Sequence, residues 1–258
     1  MAGGLAELGR SGLAVEFPVT KFFLALCFGV FALCVIQSRS LPLLQNFPGL
    51  VLVRWGALFT GVASLEPWRL LASVFVHMNA IHLGLNMMTF VSFGRMTEPR
   101  LGPGRYAVLF VLTGVLGFVT SQLWYAWTGR FAVTAGASGG LFGLGGALVG
   151  YLYARRDPVY KDVLLRLVVY GIAFALIAPV NNAAHLGGLV SGGLLGFLFE
   201  KQKRRALSDR VYLVLGAALM LLSVASIALS ALSPYSRNRG AEESYFVPDR
   251  ADFDAVRA

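Results

Sequence analysis

The chain has 258 residues, 57% of them hydrophobic and only 14% charged, with a mean hydropathy of +0.68. Soluble domains carry about 25% charged residues, so this composition excludes an ordinary soluble domain. The net charge of +9 does not point to nucleic acid, because the basic residues sit in short segments between long apolar runs, where they set topology.

The runs approach the ~20 residues that a helix needs to cross a bilayer, and the sequence lacks the short alternating strands of a β-barrel. The expected class is an all-α polytopic membrane protein. Residues 1–18 form a short polar, Gly-rich lead with no cleavable signal pattern. The first apolar run is 19–36. It holds both cysteines, Cys27 and Cys34, two turns apart on one face, which reads as buried small hydrophobes and not as a disulfide framework. Residues 37–67 are too polar to span and too apolar for a simple linker. They read as a loop lying in the membrane interface, with Trp55 and Trp68 as anchors.

A second run, 68–93, carries His77, His82 and Asn86. A charged turn with helix breakers follows, from Arg95 to Arg105. The third run is 106–127, and Arg130 marks a short loop. The fourth, 138–153, is short and very Gly-rich, and Arg155, Arg156 and Pro158 mark its end. The fifth is 163–177. Asn181 and Asn182 lead into the sixth, 185–199. A basic loop, 201–210, precedes the seventh, 211–232, and a polar tail fills 233–258.

Lys and Arg alternate along these segments. Arg95, Arg100 and Arg105 follow the second run, Arg155, Arg156 and Lys161 the fourth, and Lys201, Lys203, Arg204, Arg205 and Arg210 the sixth. The third is followed by Arg130 alone and the fifth by none. The rich segments are expected in the cytoplasm, with the N-terminus inside and the first loop and the tail outside. The lack of a long targeting presequence favours a bacterial inner membrane.

Ionisable groups at membrane depth are costly, so each is a functional candidate. All three histidines, His77, His82 and His185, lie in or at runs, while the carboxylates fall in loops, tails or run ends. This excludes a buried aspartate pair, argues against a proton-coupled transporter, and leaves the His77–His82 segment without the glutamate of a zinc protease. No metal or cofactor is expected.

What remains suits acyl transfer, which needs a nucleophile, a base and oxyanion donors. Ser138 opens the fourth run and His185 the sixth, both at the outer end. Gly188, Gly192 and Gly196 share the His185 face, and Gly139, Gly143 and Ala147 form a matching stripe behind Ser138. Two such stripes can pack backbone to backbone and bring serine and histidine together. His82 and Asn86, four apart on one helix face, would donate to an oxyanion with the backbone N–H groups of Ala137 and Ser138. Each feature also has a plainer reading: a packing stripe, an interfacial histidine, an interhelical hydrogen-bond pair, a structural His77, and Trp68-Arg69 as an interfacial anchor.

Together the residues resemble the rhomboid family of intramembrane serine proteases over about 68–200. The resemblance rests on Trp68-Arg69, His82-x-x-x-Asn86, Glu98-x-x-x-Gly102, Gly136-Ala137-Ser138-Gly139 and Ala184-His185-x-x-Gly188-x-x-x-Gly192. It implies a six-helix core over 19–200 plus a seventh C-terminal helix. It implies a Ser138–His185 dyad, His82, Asn86, Ala137 and Ser138 at the oxyanion, and supporting roles for Gly136, Gly139, Phe142, Gly188, Gly192, Trp68, Arg69, His77 and Glu98. It further implies single-span membrane proteins as substrates, with the first loop and the segment around 174–182 controlling their access. Family members often have Tyr where this chain has Phe142, which can still stack on His185 but lacks the hydroxyl. No third acid is present to orient the histidine, as suits a dyad. The alternatives are a catalytically silent rhomboid-like module that binds membrane proteins and, more distantly, a channel or transporter with a Gly-rich helix pair.

Overall fold

The computed structural model describes residues 17–60, 64–177, 181–202 and 206–234. Most of the polar lead, Lys203, Arg204 and Arg205 of the basic loop, the tail from 235 onward, and residues 178–180 of the expected access segment lie outside them. The described elements are α1 (Pro18–Ser38), α2 (Gly49–Arg54), β1 (Leu58–Phe59), α3 (Arg69–Ala72), a 3-10 turn (Ser73–Phe75), α4 (Ala80–Leu101), α5 (Pro103–Thr128), β2 (Val133–Thr134), α6 (Ser138–Ala154), α7 (Tyr160–Ile177), α8 (Asn182–Lys201) and α9 (Ala206–Leu232).

The closest packing is between α6 and α8. A Cβ placed on Gly188 would strike the Gly139 carbonyl oxygen, one on Gly192 the Gly143 oxygen, and one on Gly196 the Ala147 oxygen. From the other side, Gly146 and Gly150 meet the Leu189 and Gly193 carbonyls. The two helices touch main chain to main chain over three turns. Only small residues allow that approach. α5 closes on the same pair: Gly117 lies against the Ala184 carbonyl, and Gly140 against the Phe110 ring. A second nucleus is aromatic. Phe23 of α1 stacks on Phe75 at 5.6 Å and on Phe90 of α4 at 6.4 Å, and Phe110 of α5 lies 4.5 Å from Phe90.

The second apolar run does not form one helix from Trp68. It breaks after α3 and the 3-10 turn, and α4 leaves at 91°. The cause is Asn79, which takes an extended conformation and caps α4 by accepting the His82 N–H at 2.8 Å. Hydropathy is continuous across the break, so it carries no trace of the bend. α4 also runs further than expected, through Pro99 to Leu101, and stops at Gly102 (φ 81°). Pro103 then starts α5, a position where its missing N–H costs nothing.

The first loop is not an interfacial strap alone. It folds back as α2, β1 and α3 into a layer over one end of the bundle. β1 pairs antiparallel with β2, Leu58 opposite Thr134 and Phe59 opposite Val133. Arg69, whose plainer reading was an interfacial anchor, is wholly buried there in an ion pair with Glu66. Its guanidinium also donates to the carbonyls of Val53 and Ala57. At the opposite end, Glu98 is buried too. Its carboxylate accepts the N–H groups of Val19 at 3.0 Å and Thr20 at 2.9 Å, capping α1 from a neighbouring helix.

Among the described residues, α1, α5, α8 and most of α9 are long and apolar enough to cross a membrane, and the bent pair of α3 and α4 makes a fifth candidate. This is an integral, multi-pass membrane protein. α6 has 17 residues, and α7 carries Lys161, Asp162 and Arg166. α6 is enclosed by α4, α5, α7 and α8, so protein replaces lipid around it. A single Cβ added to the seam should be felt strongly. Gly192→Ala is expected to destabilise the fold by about 1–3 kcal/mol, the usual cost of overpacking, read as a lower melting temperature in detergent. The same change at Gly84, which has open space around it, should leave the melting temperature nearly unchanged.

Candidate active site

Ser138 is the first residue of α6. Its approach is fixed by backbone bonds to the first-loop layer. Thr60 N–H donates to the Ala132 carbonyl at 3.2 Å, β2 pairs with β1, and Gly136 N–H donates to the Ser73 carbonyl at 2.9 Å. Gly136 then turns the chain with φ 131°, a conformation that side chains other than glycine's rarely adopt. A Cβ there would also lie 2.8 Å from His82 Cε1 and 2.9 Å from His82 Nε2.

His185 sits in the first turn of α8, buried. Asn181 caps that helix, accepting the Ala184 N–H at 3.1 Å while its amide donates to Ser121 Oγ of α5 at 2.6 Å. With the seam closed, His185 Nε2 lies 2.9 Å from Ser138 Oγ. The Phe142 ring, one turn along α6, stacks on the imidazole at 4.4 Å and 17°. Among the described residues His185 Nδ1 has no hydrogen-bond partner. Ring stacking and the helix cap hold this imidazole, in place of an acid.

His82 faces the same space. Its Nδ1 accepts the Met78 N–H at 3.4 Å, so in the neutral ring the proton sits on Nε2, the nitrogen on the Gly136 side. The α6 N-terminus adds N–H groups that have no carbonyl of their own helix to bind, at the positive end of the helix dipole. Asn86 lies one turn beyond His82 and spends its amide on the His82 carbonyl at 2.8 Å. His77 is buried edge-on to His82, with ring centroids 5.2 Å apart.

The fold thus gathers Ser138, His185, His82, Gly136, Ala137 and Phe142 at one place. Gly139, Gly188 and Gly192 form the seam beneath it. Trp68, Arg69 and His77 belong to the layer above. Glu98 is remote, about 24 Å along α4 from His82 by helix rise. Two further residues, Asn181 and Ser73, position the pair. Asn before a helix is a readable capping signal, whereas a backbone carbonyl such as that of Ser73 leaves no mark in sequence.

A family model for the Rhomboid domain matches residues 64–202. RHOMBOID-like protein 6, mitochondrial, of Arabidopsis thaliana is 33% identical over 143 residues, covering 53% of this chain and 45% of that protein. YdcA of Bacillus subtilis is 30% identical over 201 residues, covering 73% of this chain and 92% of its own length. GluP of the same species, a rhomboid protease, is 28% identical over 169 residues, covering 64% of this chain and 31% of its own. The chain spans about half or less of the length of the plant relatives it matches.

Asn181→Ala removes both the α8 cap and the tie to Ser121. It is expected to cost about 1–2 kcal/mol, with faster hydrogen exchange in the first turn of α8. Unchanged exchange there would mean that the cap does not hold His185.

Proposed function

The chain belongs to the rhomboid family, and from that premise we propose that it is an intramembrane serine endopeptidase acting through a Ser138–His185 dyad. The observation that carries the reading is the 2.9 Å contact between Ser138 Oγ and His185 Nε2, made at a helix N-terminus. At that distance the imidazole can take the hydroxyl proton as Oγ attacks a peptide carbonyl. Negative charge then develops on the carbonyl oxygen. The Ser138 backbone N–H, the neighbouring N–H groups of Ala137 and the α6 first turn, and the His82 Nε2–H stabilise it, with Asn86 supporting His82 from below. His185 returns its proton to the leaving amine, and water, activated by the same imidazole, hydrolyses the acyl-enzyme.

The substrates we propose are single-span membrane proteins cut in or near the membrane segment. A peptide bond within a helix is shielded by its own hydrogen bonds, so segments that unwind readily are favoured. In this reading α6 and α7 cross the bilayer as well, completing six helices with α9 as a seventh. The excess of Lys and Arg around Arg95, Arg155 and Lys201 puts that end in the cytoplasm and opens the site to the opposite face.

The test uses purified protein in detergent with a single-span substrate and a fluorophosphonate probe. Ser138→Ala and His185→Ala each reduce cleavage to background, and the probe labels wild type at Ser138 only. His82→Ala, with the dyad intact, lowers kcat by about 10²–10³. Cleavage that survives both dyad substitutions would sink the mechanism. Wild type that neither cleaves nor takes the probe would point to a silent, membrane-protein-binding relative.

A further inference from the structure

The seventh helix lies outside the six-helix core of the proposed protease, yet its end reaches the layer that holds Ser138. Glu66 is buried, and its two carboxylate oxygens have different partners. One accepts Arg69 Nε–H, and the other accepts the hydroxyl of Ser233, the residue directly after α9. Arg69 passes the contact on to the Val53 and Ala57 carbonyls. Ala57 is followed at once by β1, β1 pairs with β2, and β2 leads through Gly136 into Ser138. A second branch runs through α3 to the Ser73 carbonyl, which takes the Gly136 N–H.

The rest of α9 is fixed as a strut. At its start, Arg105 of α5 pairs with Asp209 and donates to Ser208 Oγ at 3.0 Å, and its guanidinium lies 4.6 Å from the Tyr212 ring centre. Gly104 meets the Tyr212 and Leu213 main chain, and Gly216 meets Gly104 and Ala107. At its end, Ser230 Oγ lies 3.5 Å from where a Gly56 Cβ would stand. α9 is therefore held against α5 along its first turns and delivers Ser233 to a buried acid.

We propose that Ser233 is a positioning residue for the Ser138 site: through Glu66 and Arg69 the C-terminal end of α9 clamps the first-loop layer, and that layer sets the backbone from Ala132 to Gly136. The inference rests on the Ser138–His185 reading for its kinetic consequence but not for its structural one. A buried carboxylate oxygen stripped of its donor loses a charge-assisted bond, and the strand-to-serine connection loosens.

The experiment compares wild type, Ser233→Ala, Ser233→Thr and Ser223→Ala, the last removing a hydroxyl that, among the described residues, donates to the Leu219 carbonyl of its own helix. Cleavage kinetics and hydrogen exchange of a 131–138 peptide are both measured in the full chain. Ser233→Ala is expected to lower kcat about tenfold with KM within about twofold, the signature of a misplaced nucleophile and not of weakened binding. It should also speed exchange of the 131–138 peptide about tenfold. Ser233→Thr restores both, and Ser223→Ala leaves both unchanged. Equal losses in Ser223→Ala and Ser233→Ala would reduce the effect to general helix stability and overturn the proposal. Unchanged kcat and exchange in Ser233→Ala would overturn it as well. Wild type without cleavage or Ser138 labelling would defeat the protease reading, and the exchange measurement would still decide the clamp.

Discussion

The main-chain contact between α6 and α8 is the constraint on which the candidate site depends. Two helices with ordinary side chains pack about 8–10 Å apart, too far for main chain to touch main chain. Gly139 against Gly188 and Gly143 against Gly192 remove that gap. Ser138 Oγ and His185 Nε2 then meet directly, at 2.9 Å. It also explains why the glycines continue to Gly196 and Gly150, far from the serine: register over three turns sets the height of His185 relative to Ser138.

A second constraint acts from above. The first-loop layer is joined to the serine approach by a two-residue ladder and by the Ser73–Gly136 hydrogen bond. The layer is itself built around buried charge, Glu66 with Arg69. Isolated charges at such depth would be prohibitive, and removal of either partner alone typically costs about 3–5 kcal/mol. The site is thus held by contacts of opposite kinds, close packing of the least polar residues below and a buried ion pair tied to backbone carbonyls above.

Much of this was legible in the residues. The small-residue stripes declared their own partner, because their period matches a helix face and both begin at a candidate catalytic residue. His82 and Asn86 shared a face as their spacing requires, although Asn86 turns its amide to the His82 carbonyl. The stacking of Phe142 on His185 followed from their places in the first turns of facing helices. What stayed hidden was non-local or main-chain in origin. Glu66 and Glu98 could be placed only in loops or at run ends, since nothing nearby in sequence reveals that Ser233 and the α1 N-terminus complete them. The break before Asn79 was masked by continuous hydropathy, and the β1–β2 pairing by its length of two residues.

The length of α6 has a consequence for the bilayer itself. Its 17 residues measure about 25 Å, while a typical hydrocarbon core is about 30 Å thick. In the proposed arrangement, where α6 spans and Arg155 lies at one headgroup layer, the helix stops short of the other and Ser138 ends below the lipid surface. Because α4, α5, α7 and α8 pack around α6, protein rather than lipid would meet its short length in that arrangement. A bilayer of longer acyl chains would then put that point further from water, so the thickness of the host membrane becomes a physical variable of the proposed site.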